Sequence, residues 1–221
     1  MTEHLKLLDN ESLSSTVYTA MCTAIREGKF KPGERIKIRD ISKKFGTSVT
    51  PVRDAILRLA HDEAVEFRSA RDIRIPNLTK ARYLEIRTIR LRLEGLVAET
   101  AARFAESTDV KVLEQIISDN EIAIRNGDNA LGSELNQRFH FHLVEIARMP
   151  FLRGVLQRIW LQMGPIISET YLEGGRLMIE HHYPIVKALR DKDPEAAAAG
   201  IMNDILLGGR VIADRLSVEA A

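Results

Sequence analysis

The chain is predicted to be mainly α: an N-terminal winged helix-turn-helix domain over residues 1–78, then an all-helical antiparallel bundle over residues 79–221. Three observations predict this. Aromatic residues make up only 5% of the chain while Leu, Ile, Ala, Glu and Arg abound, a composition that favours helices over strands. The first third reads as helix, short helix, turn, helix and then two short alternating runs, which is the order of a helix-turn-helix with a hairpin wing. From Lys80 onward apolar residues recur at three- and four-residue steps with few interruptions.

Each element has its own local reason. Residues 1–11 are polar without a firm period, and Ser12 to Ser15 offer caps for a helix with Val17, Ala20, Met21, Ala24 and Ile25 on one face, ending at Gly28. "KFKPGERI" supplies a Pro-Gly turn, and "IRDISKKFG" is a short helix stopped by Gly46. After "TSVT", Pro51 suits the first helical position of a third helix, with Val52, Ile56, Leu57 and Leu59 facing inward. "AVEFR" and "IRIP" alternate and are separated by "SARD", a hairpin that Pro76 terminates, and Thr79 in the linker "NLTK" caps the next helix. That helix is long and amphipathic, with Leu84, Ile89, Leu93, Leu96, Val97 and Ala101 in register. Further helices are expected at about 109–125, 129–147, 151–172, 174–190 and 194–217, with breaks at Asn126-Gly127, Met149-Pro150 and Asp193-Pro194.

Composition narrows the function classes. At 221 residues and 45% apolar content the chain can pack a core. It has no run of about 18 apolar residues and no signal-peptide hydrophobic region, so a cytoplasmic protein with no membrane partner is expected. The single cysteine, Cys22, reads as a buried thiol. The net charge of +1 hides an asymmetry: residues 1–80 hold 15 Lys/Arg against 11 Asp/Glu, and residues 81–221 hold 17 against 20. The basic excess is densest from Arg26 to Arg58, with ten bases and four acids, a balance that admits nucleic-acid binding without requiring it.

The stretch "FGTSVTPVRDAILRL" is more specific. A helix whose first turn carries hydroxyls and an arginine can set its N-terminus against phosphates and reach base edges with its long side chains. Ser48, Thr50 and Arg53 suit those tasks, although Thr50 also reads as an ordinary N-cap and Arg53 as a solvated cation.

The context "AIREGKFKPGERI", "RDISKKFG", "TPVRDAILRL" and the wing resembles the DNA-binding domain of the GntR family of bacterial transcriptional regulators over Val17 to about Pro76. The resemblance implies a double-stranded DNA operator. It makes Arg39, Arg53 and the neighbourhood of Thr50, with Ser48, the contacts, Arg39 and Arg53 lying closest to base edges. Two positions depart from the family. Val49 stands where an arginine is usual, so one base-reading cation is replaced by a side chain that can touch a thymine methyl. Asp72 stands where the wing tip usually has glycine, beside Arg71, a minor-groove or phosphate contact.

In the bundle, Asn136 and His140 are four residues apart and share a helix face, His142 projects elsewhere, and His182 and Asp204 lie on later helices. "IRLRLEGLVAETAARFA", "LNQRFHFHLVEIA" and "HHYPIVKALRDKDPEAAAAGIMNDIL" are similar to the FCD effector domain of the FadR-like subfamily, from about Thr79 to Leu216. That resemblance implies a divalent metal held at Asn136, His140, His182 and Asp204. The family's usual aspartate is Asn136 here and its usual last histidine is Asp204, so the carboxylate has moved across the set. Two imidazoles, a carboxylate and an amide oxygen can still bind Zn²⁺, Ni²⁺, Mn²⁺ or Fe²⁺. The alternative is a metal-free pocket whose histidines bond one another or an effector directly. Arg90 stands where the resemblance places an arginine near the pocket, so Arg90, His140 and His182 are the expected effector contacts, although "RTIRLR" also reads as a solvated face. His142 and His181 read as surface residues or as supports behind the ligands, and Trp160 and Tyr171 as core aromatics.

The expected protein is a homodimeric, cytoplasmic regulator, a repressor by default, reading an inverted-repeat operator and sensing a small organic acid. The competing reading is a metal-dependent enzyme using His140, His182 and Asp204.

Overall fold

The computed structural model describes residues 13–69 and 71–218, leaving the polar segment 1–11, the cap at Ser12 and residue 70 of the expected wing turn outside the described residues. Helix α1 (Leu13–Arg26) buries Val17, Met21, Cys22 and Ile25 on one face. Strand β1 (Arg35–Ile36), helix α2 (Ile38–Lys44) and helix α3 (Val49–His61) follow. Strands β2 (Glu66–Ser69) and β3 (Asp72–Arg74) complete the wing.

The sheet order is β1-β3-β2, antiparallel throughout, with Ile36 opposite Ile73 and Phe67 opposite Ile73. The expected hairpin is therefore the larger part of a three-stranded wing. The two-residue β1 is too short to show an alternation of its own, and it pairs because Ile36 joins Ile73 in the core. A register irregularity lies between Phe67 and Ser69. Asp72 does not serve as a left-handed tip residue: it belongs to β3, with its carboxylate 3.0 Å from Arg74 Nε and 3.5 Å from Arg35 Nε.

Helix α3 starts two residues earlier than the proline suggested. Ser48 is its N-cap and Pro51 its third residue, a position whose N–H has no intrahelical partner in any case. Val52, Ile56 and Leu59 are buried as expected, but Leu57 is 54% exposed. The 100° step per residue puts it beside Arg53 and Arg58 on the solvent side, and the burial of Ala55 completes the inner stripe instead.

The bundle comprises α4 (Lys80–Phe104), α5 (Ser107–Asn126), α6 (Asn129–Ile146), α7 (Pro150–Gly174), α8 (His182–Arg190), α9 (Pro194–Asn203) and α10 (Arg210–Val218). Thr79 caps α4, its hydroxyl accepting from Arg82 N–H at 3.2 Å. Two of the expected helices are interrupted. A 3₁₀ turn (Gly175–Met178) separates α7 from α8, so that His182 is the first residue of its helix. A π turn (Asp204–Gly208) and Gly209 separate α9 from α10. Gly209 explains the second break: its carbonyl accepts from the buried Tyr83 hydroxyl at 2.7 Å, and a Cβ there would lie 2.4 Å from that oxygen. By length and composition Pro194–Leu216 could cross a membrane, with mean hydropathy 1.3. It is a core segment here, since Ala197, Ile201, Ile205, Ile212 and Leu216 are buried in the bundle.

On α4, Val97 and Ala101 are buried and Leu84 and Leu93 pack against the core as expected, but Ile89 and Leu96 are exposed, and Arg90 and Glu94 are buried instead. The buried hydrophobic residues form two clusters, one from Val17 to Ile75 and one from Tyr83 to Leu216, and Leu161 of α7 joins the first. Close approach of α1 to α7 makes that possible. Gly164 sits where a Cβ would meet the Ile25 and Arg26 carbonyl oxygens at 2.5 Å, and Gly28, at φ +69°, faces Ser168.

Candidate functional site

Among the described residues, the side chains of Ser48, Val49, Thr50 and Arg53 at the N-terminal end of α3 make no hydrogen bond or ion pair. Ser48 makes no cap hydrogen bond. An N-cap hydroxyl ordinarily accepts from the second or third helical N–H, and the third residue, Pro51, has none to give. The hydroxyl is left facing out at the positive end of the helix dipole. Val49 and Arg53 are four residues apart and share a face, with Thr50 between them, and all are exposed. Arg39 is exposed on α2, and Arg71 is exposed beside β3, where its carbonyl accepts from Arg35 Nη2 at 2.8 Å.

The second site is a buried polar centre. His140 and Asn136 reach it from α6, His182 from the first turn of α8, Asp204 from the π turn, and Arg90 and Glu94 from α4; all six are buried. Donor atoms of His140, His182 and Asp204 lie within 4.8 Å of one another. Asp204 Oδ2 is 3.3 Å from His140 Nε2, and Asp204 Oδ1 is 3.4 Å from His182 Nε2. The latter contact lacks hydrogen-bond geometry, so both ring nitrogens of His182 and Asp204 Oδ1 are buried without a hydrogen bond. The His182 ring stacks on Phe139 at 3.8 Å between centroids, which fixes its plane.

Sequence reasoning missed Glu94, the hub of this centre. Its carboxylate accepts from Arg90 Nε at 2.5 Å, contacts His140 Nδ1 at 2.6 Å and accepts from Trp160 Nε1 at 3.4 Å. Burial alone would raise the Glu94 carboxyl, but Arg90 and His140 outweigh it and hold it down to about 2. Burial likewise pushes the His140 imidazole down, and Glu94 with Asp204 reverses this, so that His140 is raised. Burial dominates at His182, which falls to about 4 despite Asp204 and is therefore neutral with a lone pair to give. The available signal was the Arg90/Glu94 spacing of four, which is equally the pattern of a solvated helix pair.

Arg90 lines the centre, but its Nε and Nη2 are bonded to Glu94. Its guanidinium also lies 4.6 Å from the Trp160 ring centroid, so Trp160 supports the site as well as the core. Tyr171 serves the core, donating to Asn120 Oδ1 at 3.0 Å. His142 and His181 stand apart, His142 Nδ1 lying 3.3 Å from Glu145 and His181 Nε2 lying 3.6 Å from Glu180. The cavity at the centre is about 30 Å³. That holds a water or an ion and not an organic acid, so the expected effector contacts surround too small a space in this conformation.

A three-helix domain with a wing, joined to a helical bundle with a histidine-carboxylate centre, defines a winged-helix DNA-binding regulator. Residues 13–75 match the bacterial regulatory proteins of the gntR family, and residues 85–206 match the FCD domain. The chain belongs to the GntR family and carries an FCD domain. It is 28% identical over 172 residues to the HTH-type transcriptional regulator McbR of Escherichia coli strain K12, covering 76% of this chain and 78% of that protein. The HTH-type transcriptional repressor RspR of the same organism is 23% identical over 198 residues, covering 89% and 87%. The solved structure of E. coli McbR/YncC aligns with a TM-score of 0.83 and 25% identity over 95% of this chain and 99% of that one. A GntR regulator from Rhodococcus sp. RHA1, at 16% identity, shares the fold with a TM-score of 0.74, covering 90% and 97%. These relatives are transcription regulators, not enzymes, which sets aside the metal-dependent enzyme reading.

Proposed function

We propose that this DNA-binding regulator is a homodimeric repressor on an inverted-repeat operator, with a bundle centre that holds a divalent metal and answers to a small organic acid. On the DNA side, Ser48 and Thr50 bind phosphate at the start of α3, Arg39 and Arg53 read base edges, and Val49 touches a thymine methyl. Arg71 follows the minor groove or its phosphates from the wing. Two-fold symmetry of the protein is what an inverted repeat matches. The repressor sign rests on the likeness to RspR, named as a transcriptional repressor, and the DNA operator makes the cytoplasm the place of action.

The observation that carries the metal reading is the pairing of Glu94 with His140. By accepting from Nδ1–H, Glu94 directs Nε2 toward Asp204 and His182, the usual support behind a ligating histidine, and a bound cation would take the place of the Nε2 proton. The buried, unbonded nitrogens of His182 and Asp204 Oδ1 fit a cation between them. His140, His182 and Asp204, with the Asn136 amide oxygen, would hold Zn²⁺, Ni²⁺, Mn²⁺ or Fe²⁺, and the bound ion would offer an open position to a carboxylate oxygen. Arg90 keeps Nη1 for the same carboxylate, since its bonds to Glu94 use Nε and Nη2. Space for the acid comes from the irregular turns, because Met178 of the 3₁₀ turn and Ile205 and Gly208 of the π turn wall the cavity.

The test is elemental analysis of protein purified without chelator, with melting followed before and after chelator is added. Retained metal and a chelator-dependent fall in Tm are expected, and Asp204→Ala should abolish both. The double change Asn136→Asp with Asp204→His should restore binding. Wild-type protein without metal, whose melting ignores both added metal and chelator, would overturn the metal reading.

A further inference from the structure

A second cavity, about 300 Å³ in volume, lies on the far side of α6 from the buried centre, where the end of α1 meets α5, α6 and α7. It joins the two parts of the chain, because Arg26 belongs to the DNA-binding domain while Gln137, Arg138, His142, Glu145 and Arg153 belong to the bundle. Its lining carries three guanidinium groups against one carboxylate. Arg153 Nη2 lies 3.4 Å from Glu145 and shares that carboxylate with His142. Arg26 and Arg138 form no ion pair among the described residues; the Arg26 guanidinium donates to the Thr23 hydroxyl at 3.3 Å. Asp109, 4.0 Å from His142 Nε2, is committed to the α5 cap, accepting from Glu106 N–H at 2.8 Å.

Two buried nitrogens lie beside these charges. Gln137 Nε2 and His142 Nε2 are buried without a hydrogen bond. The Gln137 amide is a buried donor without a partner, which costs stability, and so do like charges that outnumber their counter-ions. A ligand that accepts hydrogen bonds and brings two or more negative charges would relieve both. The volume lies at the small end of ligand sites and suits a compact molecule. It is about ten times the cavity at the buried centre.

We propose that this cavity is a binding site for a small polyvalent anion, a di- or tricarboxylate or a phosphorylated metabolite, and that its occupancy holds the DNA-binding domain against the bundle. A ligand bound by Arg26 from one side and Arg138 and Arg153 from the other favours the docked arrangement by its preference for that state. The same docked arrangement brings Gly28 against Ser168 and Gly164 against the Ile25 and Arg26 carbonyls. The site is independent of the metal centre, which uses the opposite face of α6.

The test uses the full chain, with citrate and inorganic phosphate as separate probes and chloride at matched ionic strength as control, by calorimetry and thermal melting. Saturable binding of citrate or phosphate is expected, the tighter of the two naming the class. Arg138→Gln and Arg153→Gln, both at exposed residues, should each weaken it about 10-fold or more, the loss of one charge-assisted hydrogen bond. Arg26→Lys, which keeps the charge and the fold, should weaken it less than Arg26→Gln. Protein stripped of metal by chelator and then dialysed should bind the anion as untreated protein does. Hydrogen exchange at the end of α1 and the middle of α7 should slow on binding. No saturable binding, binding indifferent to the arginine changes, or binding lost when metal is stripped would overturn the site; unchanged exchange at α1 would overturn the coupling.

Discussion

Glu94→Gln tests the buried centre with one change of charge and almost none of shape. The carboxylate is 3% exposed and receives Arg90, His140 and Trp160. Glutamine supplies one acceptor oxygen and one amide donor, so either Arg90 or His140 then faces a donor. Removing one partner of a buried ion pair costs about 3–5 kcal/mol, because the other charge stays buried. The depressed carboxyl gives a second route: a fall from 4.5 to about 2 corresponds by linkage to about 3 kcal/mol at neutral pH. Because the folded value lies below the unfolded one, that stability is present above about pH 4.5 and is lost as pH falls toward 2. The chain has a single tryptophan, Trp160, which is buried beside Glu94, so its fluorescence in a urea titration reports the bundle alone. Glu94→Gln combined with Arg90→Met should recover most of the loss, since replacing both partners leaves no orphaned charge. A single change costing under about 0.5 kcal/mol, or a double change as costly as the two singles added, would refute the reasoning. Metal affinity should fall about 10- to 100-fold in the same variant, because His140 is then free to carry its proton on Nε2.

Arg53→Ala should weaken operator binding by about 1–3 kcal/mol and flatten preference at one base pair per half-site, measured by titration against operator point mutants; uniform weakening would make it a phosphate contact. Val49→Arg should shift preference toward guanine at the facing base pair in a randomised-site selection and steepen the salt dependence by up to about one ion. Gly164→Ala should loosen the docking of α1, because its Cβ would meet backbone oxygens at 2.5 Å; the expected cost is about 1–3 kcal/mol, with faster exchange at the end of α1.

Much of the protein was legible in the sequence because punctuation and spacing are local. Gly28, Gly46, Gly127, Pro150 and Pro194 mark helix ends in the chain and in the structure alike. The spacing of four between Asn136 and His140 put them on one face before any partner was known, and the turn before α3 carried the family's signature. Tertiary packing alone decided the rest. Helical period says which residues share a face but not which face is buried, and on α4 the inner face carries Arg90 and Glu94 while Ile89 and Leu96 point outward. Hence Glu94, indistinguishable in sequence from half of a solvated pair, became the hub of the centre. Gly209, directly after the π turn that delivers Asp204, is held by Tyr83, 126 residues away. The cavity of arginines exists only because α1 lies close enough to α7 that Gly164 has no room for a side chain. A sequence records the groups and their local order; which buried charges find partners depends on contacts between distant segments.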